Sequence, residues 1–274
     1  MQARYFIFVM VFGWSACQPG EKKAESEIEE KQITHPVGKW IDLTYPYDEN
    51  TIYWPTSEPF QLDTVFEGTT DGGYYYSAFK FCSAEHGGTH LDAPIHFSEG
   101  KRAVDELTLD QLSGPAIVID VSEGALENRD YLISVDDIQK WEESHGKIDE
   151  GVIVLIRTGY GRFWPDRIKY MGTDLLGEEG VANLHFPGLH PEAAQWLVDN
   201  RNIGAIGLDT PSIDFGQSSQ YESHQILFEK NIPAIENVAN LAQLPVTGSW
   251  VMALPMKIKG GSGGPVRVVA LIPN

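Results

Sequence analysis

Three short apolar runs alternate along the chain with segments that have the features of helices, and this pattern most constrains the fold. The runs cover residues 115–121, 152–157 and 203–208 and consist mostly of Val, Ile, Leu, Ala and Gly. Apolar runs of this length predict strands buried on both faces. Because strands that alternate with helices favour parallel pairing, we expect a single α/β domain over residues 37–274. Its core would be a mixed, partly parallel sheet or a barrel-like β structure flanked by helices.

The helices between these runs carry their own start and stop signals. Ser134, followed three residues later by Asp137, is a variant of the capping box, and Gly146 is typical of the position where a helix ends. Pro191 at the first position of the next segment favours a helix that runs to about Asn200.

Residues 1–17 differ in kind from the rest of the chain. Arg4 is the only charged side chain before an apolar run too short to span a bilayer, and small residues precede Cys17. These features predict the signal peptide of an exported bacterial protein, periplasmic or anchored in the membrane as a lipoprotein through Cys17. The polar composition of residues 18–36 predicts a flexible tether. A buried N-terminal strand or helix is the alternative for the apolar run.

The formal net charge of −19 argues against two classes of partner. Such an acidic surface repels nucleic acid and anionic membranes, so we expect neither, apart from the lipid anchor. The chain has two cysteines and therefore no disulfide framework. If Cys17 is lipidated, Cys82 stands alone, and we expect it to be a small buried residue rather than a nucleophile.

An eleven-residue segment, 86–96, holds three of the eight histidines of the chain and follows an aromatic-rich predicted strand at 74–81. In an extended chain, side chains two residues apart point the same way, so four side chains can face one site: His86, His90, Asp92 and His96. Gly87-Gly88 supplies a bend. Imidazole and carboxylate ligands suit Zn²⁺, Mn²⁺ or Fe²⁺. The alternative is a set of hydrogen-bonded histidines without a metal.

This segment also matches a longer pattern, His-x-Gly-Thr-His-x-Asp-x-Pro-x-His, at all seven fixed positions. The pattern resembles the signature of the cyclase family, which contains the bacterial kynurenine formamidases and the isatin hydrolases. The resemblance extends over roughly residues 38–272 and implies a metal-dependent hydrolase domain.

The resemblance implies further site residues in the second half of the chain. Kynurenine formamidases carry a His and, about a dozen residues later, a Glu followed by Asn, and His224 and Glu236 match that spacing. The implied metal ligands are His86, His90, Asp92, His224 and Glu236. Isatin hydrolases carry an amide in place of the glutamate, so Glu236 favours the formamidase-like branch. One or two Zn or Mn ions are expected, with Asp92 between them.

Two other segments bear on the site. The family has an aromatic-Pro pair in a loop over the active site, which makes Trp54 a candidate substrate wall; packing beneath the loop is the alternative. Asp209 and Asp214 follow the third apolar run, where α/β folds place ligands. For these two aspartates we favour local turn hydrogen bonds over the orientation of a ligand histidine.

The implied activity is hydrolysis of a C–N amide bond in a small molecule, an N-formyl aryl amine or a cyclic amide or imide, by metal-activated water. His96 is the candidate acid/base, with an ordinary pKa near ~6.5. Family members are often dimers or tetramers, so a homodimer or homotetramer is expected. The alternatives are an exported protein that binds metal or a small ligand without turnover, and a metal-assisted cyclase or dehydratase.

Overall fold

The computed structural model describes residues 37–274. The predicted signal peptide and tether lie outside the described residues, and both remain predictions. The strands are β1 (Gly38–Asp42), β2 (Gln61–Thr69), β3 (Tyr75–Cys82), β4 (His90–Asp92), β5 (Ser113–Asp120), β6 (Leu132–Ile133), β7 (Ile153–Arg157), β8 (Gly188–Leu189), β9 (Ala205–Leu208), β10 (Ala234–Glu236), β11 (Ser249–Pro255) and β12 (Gly263–Pro273). The helices are α1 (Leu109–Leu112), α2 (Ser122–Glu127), α3 (Val135–His145), α4 (Arg167–Met171), α5 (Gly177–Ala182), α6 (Pro191–Asn200) and α7 (Glu222–Glu229).

The main sheet has eight strands in the order β1-β12-β11-β5-β7-β9-β10-β4. It closes on itself because β12 also pairs with β4. Pairing is parallel from β5 through β7 and β9 to β10 and antiparallel elsewhere. The predicted α/β domain with a mixed, barrel-like core is therefore confirmed.

The two faces of the parallel strands are buried against different partners. In β7, Ile153 and Leu155 belong to the apolar cluster inside the barrel. Val154 and Ile156 belong to a second cluster, which includes residues of α3, α6 and α7. Alternation of this kind follows from the two-residue period of a strand. It explains why these strands are continuous apolar runs in the sequence.

The helix signals in the sequence act as predicted. The Ser134 hydroxyl accepts a hydrogen bond from the Asp137 amide at 3.3 Å, and the Ser134 amide donates to the Asp137 carboxylate at 2.8 Å. Gly146 ends α3 with a φ of +91°, a conformation in which glycine is favoured. α6 begins at Pro191 and ends at Asn200, as expected.

Residues 61–82 form a two-stranded ribbon, β2 and β3, which pairs with no other strand in the described part of the chain. The strand predicted over 74–81 is thereby confirmed. The prediction for Cys82 is wrong, because its side chain is exposed at the base of the ribbon. No second layer within residues 37–274 covers that strand.

Within residues 37–274, no helix combines the length and the apolar character needed to cross a membrane.

Candidate metal centre

Two short antiparallel strands form the base of the site. β4 and β10 pair so that His90 lies opposite Glu236. Leu91 and Ile235, the middle residues of the two strands, belong to the cluster inside the barrel. The neighbouring side chains point to the opposite face. This alternation places His90, Asp92 and Glu236 together on the outside of the barrel, where all three are buried.

The segment around β4 is less extended than its sequence suggests. Only His90–Asp92 is strand, and Pro94–His96 is a short 3-10 turn. The predicted bend is present, because Gly88 has a φ of +57° and the chain turns there. As a result, His86 returns to Asp92, and the rings of His86 and His96 stack with centroids 3.7 Å apart.

Asp92 lies at the centre of the cluster. Its Oδ1 is 2.6 Å from His86 Nδ1 and 3.1 Å from His90 Nε2, and its Oδ2 is 3.3 Å from His224 Nε2. Glu236 completes the cluster at 3.4 Å from His90 Nε2 and 3.2 Å from His224 Nε2. The side chains form two potential ligand groups that share Asp92: His86, His90 and Asp92, and Asp92, His224 and Glu236. Within each group, the candidate ligand atoms all lie within 4.8 Å of one another.

In His90 and His224, the ring nitrogen that points away from the cluster makes a hydrogen bond of its own. His90 Nδ1 lies 3.0 Å from the Gly88 carbonyl, to which it can only donate, so Nε2 is the nitrogen that faces the carboxylates and that a metal ion could use. His224 Nδ1 contacts Asp214 Oδ2 at 2.5 Å, which likewise directs Nε2 toward Asp92 and Glu236. Contacts of this kind fix the tautomer and the ring orientation of metal-ligating histidines.

The two aspartates after β9 have different roles. Asp209 orients no histidine of the described chain, but its hydrogen bonds are not the predicted local ones either, because it accepts from Thr158 and Gly159 in the turn after β7, 51 and 50 residues away. For Asp214 the preference for local turn hydrogen bonds is wrong as well, because its carboxylate accepts from the backbone of Ser223 and orients the His224 ring. The His224 ring reaches Asp214 because His224 lies in the first turn of α7. The sequence around Asp214 could not have predicted this contact.

A hydrogen bond that the sequence did not predict orients the His86 ring. Its Nε2 is 2.8 Å from the Ser262 hydroxyl, which in turn donates to Glu85 at 2.6 Å. Ser262 lies in the Gly-rich turn between β11 and β12, 176 residues from His86. The only possible signal in the sequence was the position of this turn next to the last strand.

The charges of the cluster act strongly on one another. Burial lowers the pKa of His90, but the facing carboxylates of Asp92 and Glu236 outweigh it and raise that pKa to about 10. Burial raises the pKa of Asp92, but His86 and His90 bring it well below the usual value. The pKa of His224 is raised well above its usual value, because Asp214, Asp92 and Glu236 outweigh burial. The cluster thus stabilises positive charge at its centre.

A divalent cation fits this cluster. Within the described chain, the ion-pair partners of Asp92 and Glu236 are histidines, and neither carboxylate contacts Lys or Arg. Two buried carboxylates require nearby positive charge. Ligand atoms about 2.1 Å from a tetrahedral ion lie ~3.4 Å apart, close to the separations of His90 and His224 from the carboxylates.

His96 stands beside the ligands. Burial lowers the pKa of His96 to about 4; the carboxylate of Asp92 opposes this shift, and His86 adds to it. The expectation of an ordinary pKa near ~6.5 is therefore wrong for this buried ring. A neutral imidazole at pH ~7 can accept a proton, which is the state that a general base needs.

The cluster forms the floor of a cavity of about 280 Å³. Its walls include the aromatic side chains of Tyr53, Trp54, Phe97 and Tyr221, and Ser57, Ser212 and Asn237 add polar groups. No Lys or Arg is among the described residues that line it. Trp54 lines the cavity and also packs edge-on against Phe186 and Tyr221. Its position as a wall of the cavity and its packing beneath the loop are therefore compatible. Tyr53, Phe97 and Tyr221 were not anticipated from the sequence.

Comparison with known proteins identifies the family. The family model described as putative cyclase matches residues 41–215. The isatin hydrolase of Roseibium aggregatum is 34% identical, with 93% of this chain and 96% of that protein aligned. A kynurenine formamidase of Bacillus cereus is 30% identical over 85% of this chain and 97% of its own length. A solved structure, isatin hydrolase A from Labrenzia aggregata bound to benzyl benzoate, superimposes with a TM-score of 0.78 at 32% identity, covering 86% of this chain and 94% of that one. The chain therefore belongs to the cyclase family.

Proposed function

We propose that this protein is a metal-dependent hydrolase that cleaves a C–N amide bond in a small aromatic molecule. The observation that carries the proposal is the convergence of three imidazoles on Asp92, two of which also approach Glu236, in an aromatic-walled cavity. The relatives are named for hydrolysis of isatin and of a formylated kynurenine, both of which contain an amide next to an aromatic ring.

The residues that would hold the metal are His86, His90, Asp92, His224 and Glu236. Zn or Mn suits this mixture of imidazole and carboxylate ligands. Because Asp92 belongs to both ligand groups, it can contribute to two ions as well as to one. When bound, the ion supplies Lewis acidity, which activates water and polarises the substrate carbonyl.

The protein residues supply orientation and proton transfer. Trp54 and Phe97 present flat apolar surfaces between which an aromatic ring can lie. His96, neutral through burial, would accept the proton of the attacking water and return it to the leaving nitrogen. The aromatic walls lower the polarity around the cluster, which strengthens the electrostatic contacts in the site.

The charge of the cavity favours one substrate class over the other. A carboxylate on the substrate would find no Lys or Arg among the described lining residues, and it would face Asp92 and Glu236. An uncharged cyclic aromatic amide meets no such repulsion, and a cavity of about 280 Å³ suits one or two fused rings. We therefore place an uncharged cyclic amide of the isatin type ahead of an N-formyl aryl amine that carries a carboxylate, which reverses the order that Glu236 indicated in the sequence.

The experiment compares isatin with N-formylkynurenine, which carries a carboxylate, as substrates of the full chain loaded with Zn²⁺ or Mn²⁺. We expect a product heavier than isatin by one water, no product after chelation, and restored activity on adding the metal. His96→Asn should lower kcat by at least about 100-fold while bound metal is retained. Tight binding without product would favour a binding protein, and a product lighter by one water would favour a dehydratase.

Location and assembly complete the proposal. The apolar run before Cys17 supports export and anchoring as a bacterial lipoprotein. We also propose a homodimer or homotetramer. Mass spectrometry of the N-terminal peptide from a bacterial host would show a diacylated Cys17 if the first part holds, and an unprocessed Met1 if it does not.

A further inference from the structure

The carbonyl of Gly88 accepts two hydrogen bonds, one from a candidate ligand and one from a residue that is not a ligand. His90 Nδ1 lies 3.0 Å from it, and Asn237 Nδ2 donates to it at 2.7 Å. A carbonyl oxygen has two lone pairs, so both bonds can form together. Because Gly88 has no side chain, its own conformational preferences restrict the direction of this carbonyl little. The direction depends instead on the hydrogen-bond partners, and Asn237 supplies one of them.

Asn237 is joined to the same segment a second time. Its own carbonyl accepts a hydrogen bond from the Thr89 hydroxyl at 2.7 Å. Its φ of +53° is a conformation that asparagine tolerates better than most residues. It directly follows Glu236 at the end of β10 and is 149 residues from Gly88 in the chain. The residue after one candidate ligand therefore holds the segment that carries another.

A buried tyrosine in turn holds the side-chain amide of Asn237. The Tyr170 hydroxyl lies 2.9 Å from Asn237 Oδ1 and 3.2 Å from the carbonyl oxygen of Asp209. The Gly88 carbonyl can only accept, so the amide nitrogen of Asn237 must face it and Oδ1 must face Tyr170. Tyr170 and Asn237 are 0% and 2% exposed, so water competes little for these groups. The two partners of the amide therefore fix its orientation.

We infer that Tyr170 and Asn237 are positioning residues for the candidate ligand His90 and act in series through the Gly88 carbonyl. Tyr170 fixes the Asn237 amide, and the amide fixes the carbonyl. The carbonyl then holds the His90 ring with Nε2 toward the two buried carboxylates. The inference rests on the metal centre proposed above and adds two residues to it, neither of which is itself a candidate ligand.

The test is a double-mutant cycle on the affinity of the full chain for Zn²⁺, measured by competition with a chromophoric chelator. Tyr170→Phe removes only the hydroxyl and should weaken Zn²⁺ binding by about 10-fold. Asn237→Gly removes the amide but keeps a residue that readily adopts the positive φ, and it should weaken binding by about 10- to 100-fold. Because the two bonds act in series, the double variant should bind Zn²⁺ within about threefold of Asn237→Gly alone.

Tyr160→Phe is the matched control, because Tyr160 is also buried and belongs to the same apolar cluster as Tyr170. Among the described residues its hydroxyl is not part of the series that ends at His90, so Zn²⁺ affinity should stay within about twofold of the parent. A merely structural Tyr170 would lower thermal stability when changed to Phe and leave Zn²⁺ affinity at the level of the control. That result, or a double variant about 10-fold weaker than Asn237→Gly, would overturn the inference.

A crystal structure of the metal-free Asn237→Gly chain separates this inference from the metal centre on which it rests. We expect the peptide after Gly88 to rotate and the His90 ring to leave its position 3.0 Å from that carbonyl. An unmoved ring would overturn the inference even if the parent binds Zn²⁺. A ring that moves in a chain whose parent binds no Zn²⁺ would support the positioning role and contradict the proposed metal centre instead.

Discussion

The metal-ligand cluster and the β2–β3 ribbon depart from the ordinary placement of residues in opposite directions. In the cluster, the carboxylates of Asp92 and Glu236 are buried with histidines as their ion-pair partners. In the ribbon, apolar rings such as Phe79 and Phe81 are exposed on a strand that carries no covering layer within residues 37–274. Each arrangement costs free energy in the isolated chain, the first through desolvated charge and the second through hydrated apolar surface.

The difference shows what each region lacks. Buried negative charge is stabilised by a cation, so the cluster calls for a metal ion. Exposed apolar surface is stabilised by a second apolar surface, and within residues 37–274 the ribbon has none. The residue types are common in both regions, and it is the burial of the carboxylates and the exposure of the aromatic rings that set the two regions apart.

The largest expected effect comes from removing the charge at the centre of the cluster. Asp92→Asn preserves shape but weakens both ligand groups, because both contain Asp92. We expect kcat/KM for the proposed amide substrate to fall by at least about 1,000-fold, which corresponds to about 4 kcal/mol of barrier. Steady-state kinetics with added Zn²⁺ or Mn²⁺ is the measurement.

The control is Asp130→Asn, which removes a half-exposed carboxylate that also pairs with a histidine, His185, at 2.8 Å. Its kcat/KM should stay within about twofold of the parent. Full activity in Asp92→Asn would show that burial of this charge has no catalytic purpose.

A smaller effect is expected from the carboxylate that orients His224. Asp214→Asn leaves every ligand in place but removes the charged acceptor at His224 Nδ1. Metal affinity should fall by about 10- to 100-fold, as measured by competition with a chromophoric chelator. Asp209→Asn is the matched control, since Asp209 is equally buried but bonds the turn at Thr158. It should lower thermal stability without a change in metal affinity; equal losses of affinity in both variants would remove the distinction between the two aspartates.

The smallest expected effect concerns Glu142, a carboxylate that forms an ion pair with an arginine. Nε and Nη2 of Arg201 each donate to one carboxylate oxygen of Glu142 at 2.5 Å, and this contact lowers the pKa of Glu142. A carboxylate whose pKa is lower in the folded state stabilises the fold above its unfolded pKa, and loses that contribution as pH falls through the folded pKa. Arg201→Gln should therefore cost about 1 kcal/mol at pH ~7 and little at pH ~3. Urea unfolding at the two pH values checks this, and an equal cost at both would contradict the assignment.

The sequence predicted those parts of the fold that depend on local pattern. The apolar runs that became β5, β7 and β9 and the caps at Ser134 and Pro191 are recognisable in a few residues each. Closure of the barrel was left open, because it depends on pairing between Gly263 and Asp92, which lie far apart in the chain. Nor could strand pattern show that the ribbon lacks a covering layer, which is why the burial of Cys82 was predicted wrongly.

The candidate site divides in the same way. His86, His90 and Asp92 lie close together in the sequence, and their alternation and the Gly-Gly bend already indicated a metal site. His224 and Glu236 were recognisable only through the family resemblance, since they come to Asp92 from distant elements. The roles of Asp214 and Ser262 and the lowered pKa of His96 depend on tertiary contacts and burial, which no local pattern specifies.

The most direct test of the account is the metal content of the purified full chain and of Asp92→Asn, measured by mass spectrometry of the elements after dialysis. The account predicts one or two equivalents of Zn or Mn per parent chain, held through dialysis or regained on reconstitution, and little in the variant. A parent that binds no divalent ion after reconstitution would contradict it, since the buried carboxylates would then be stabilised by protonated histidines alone.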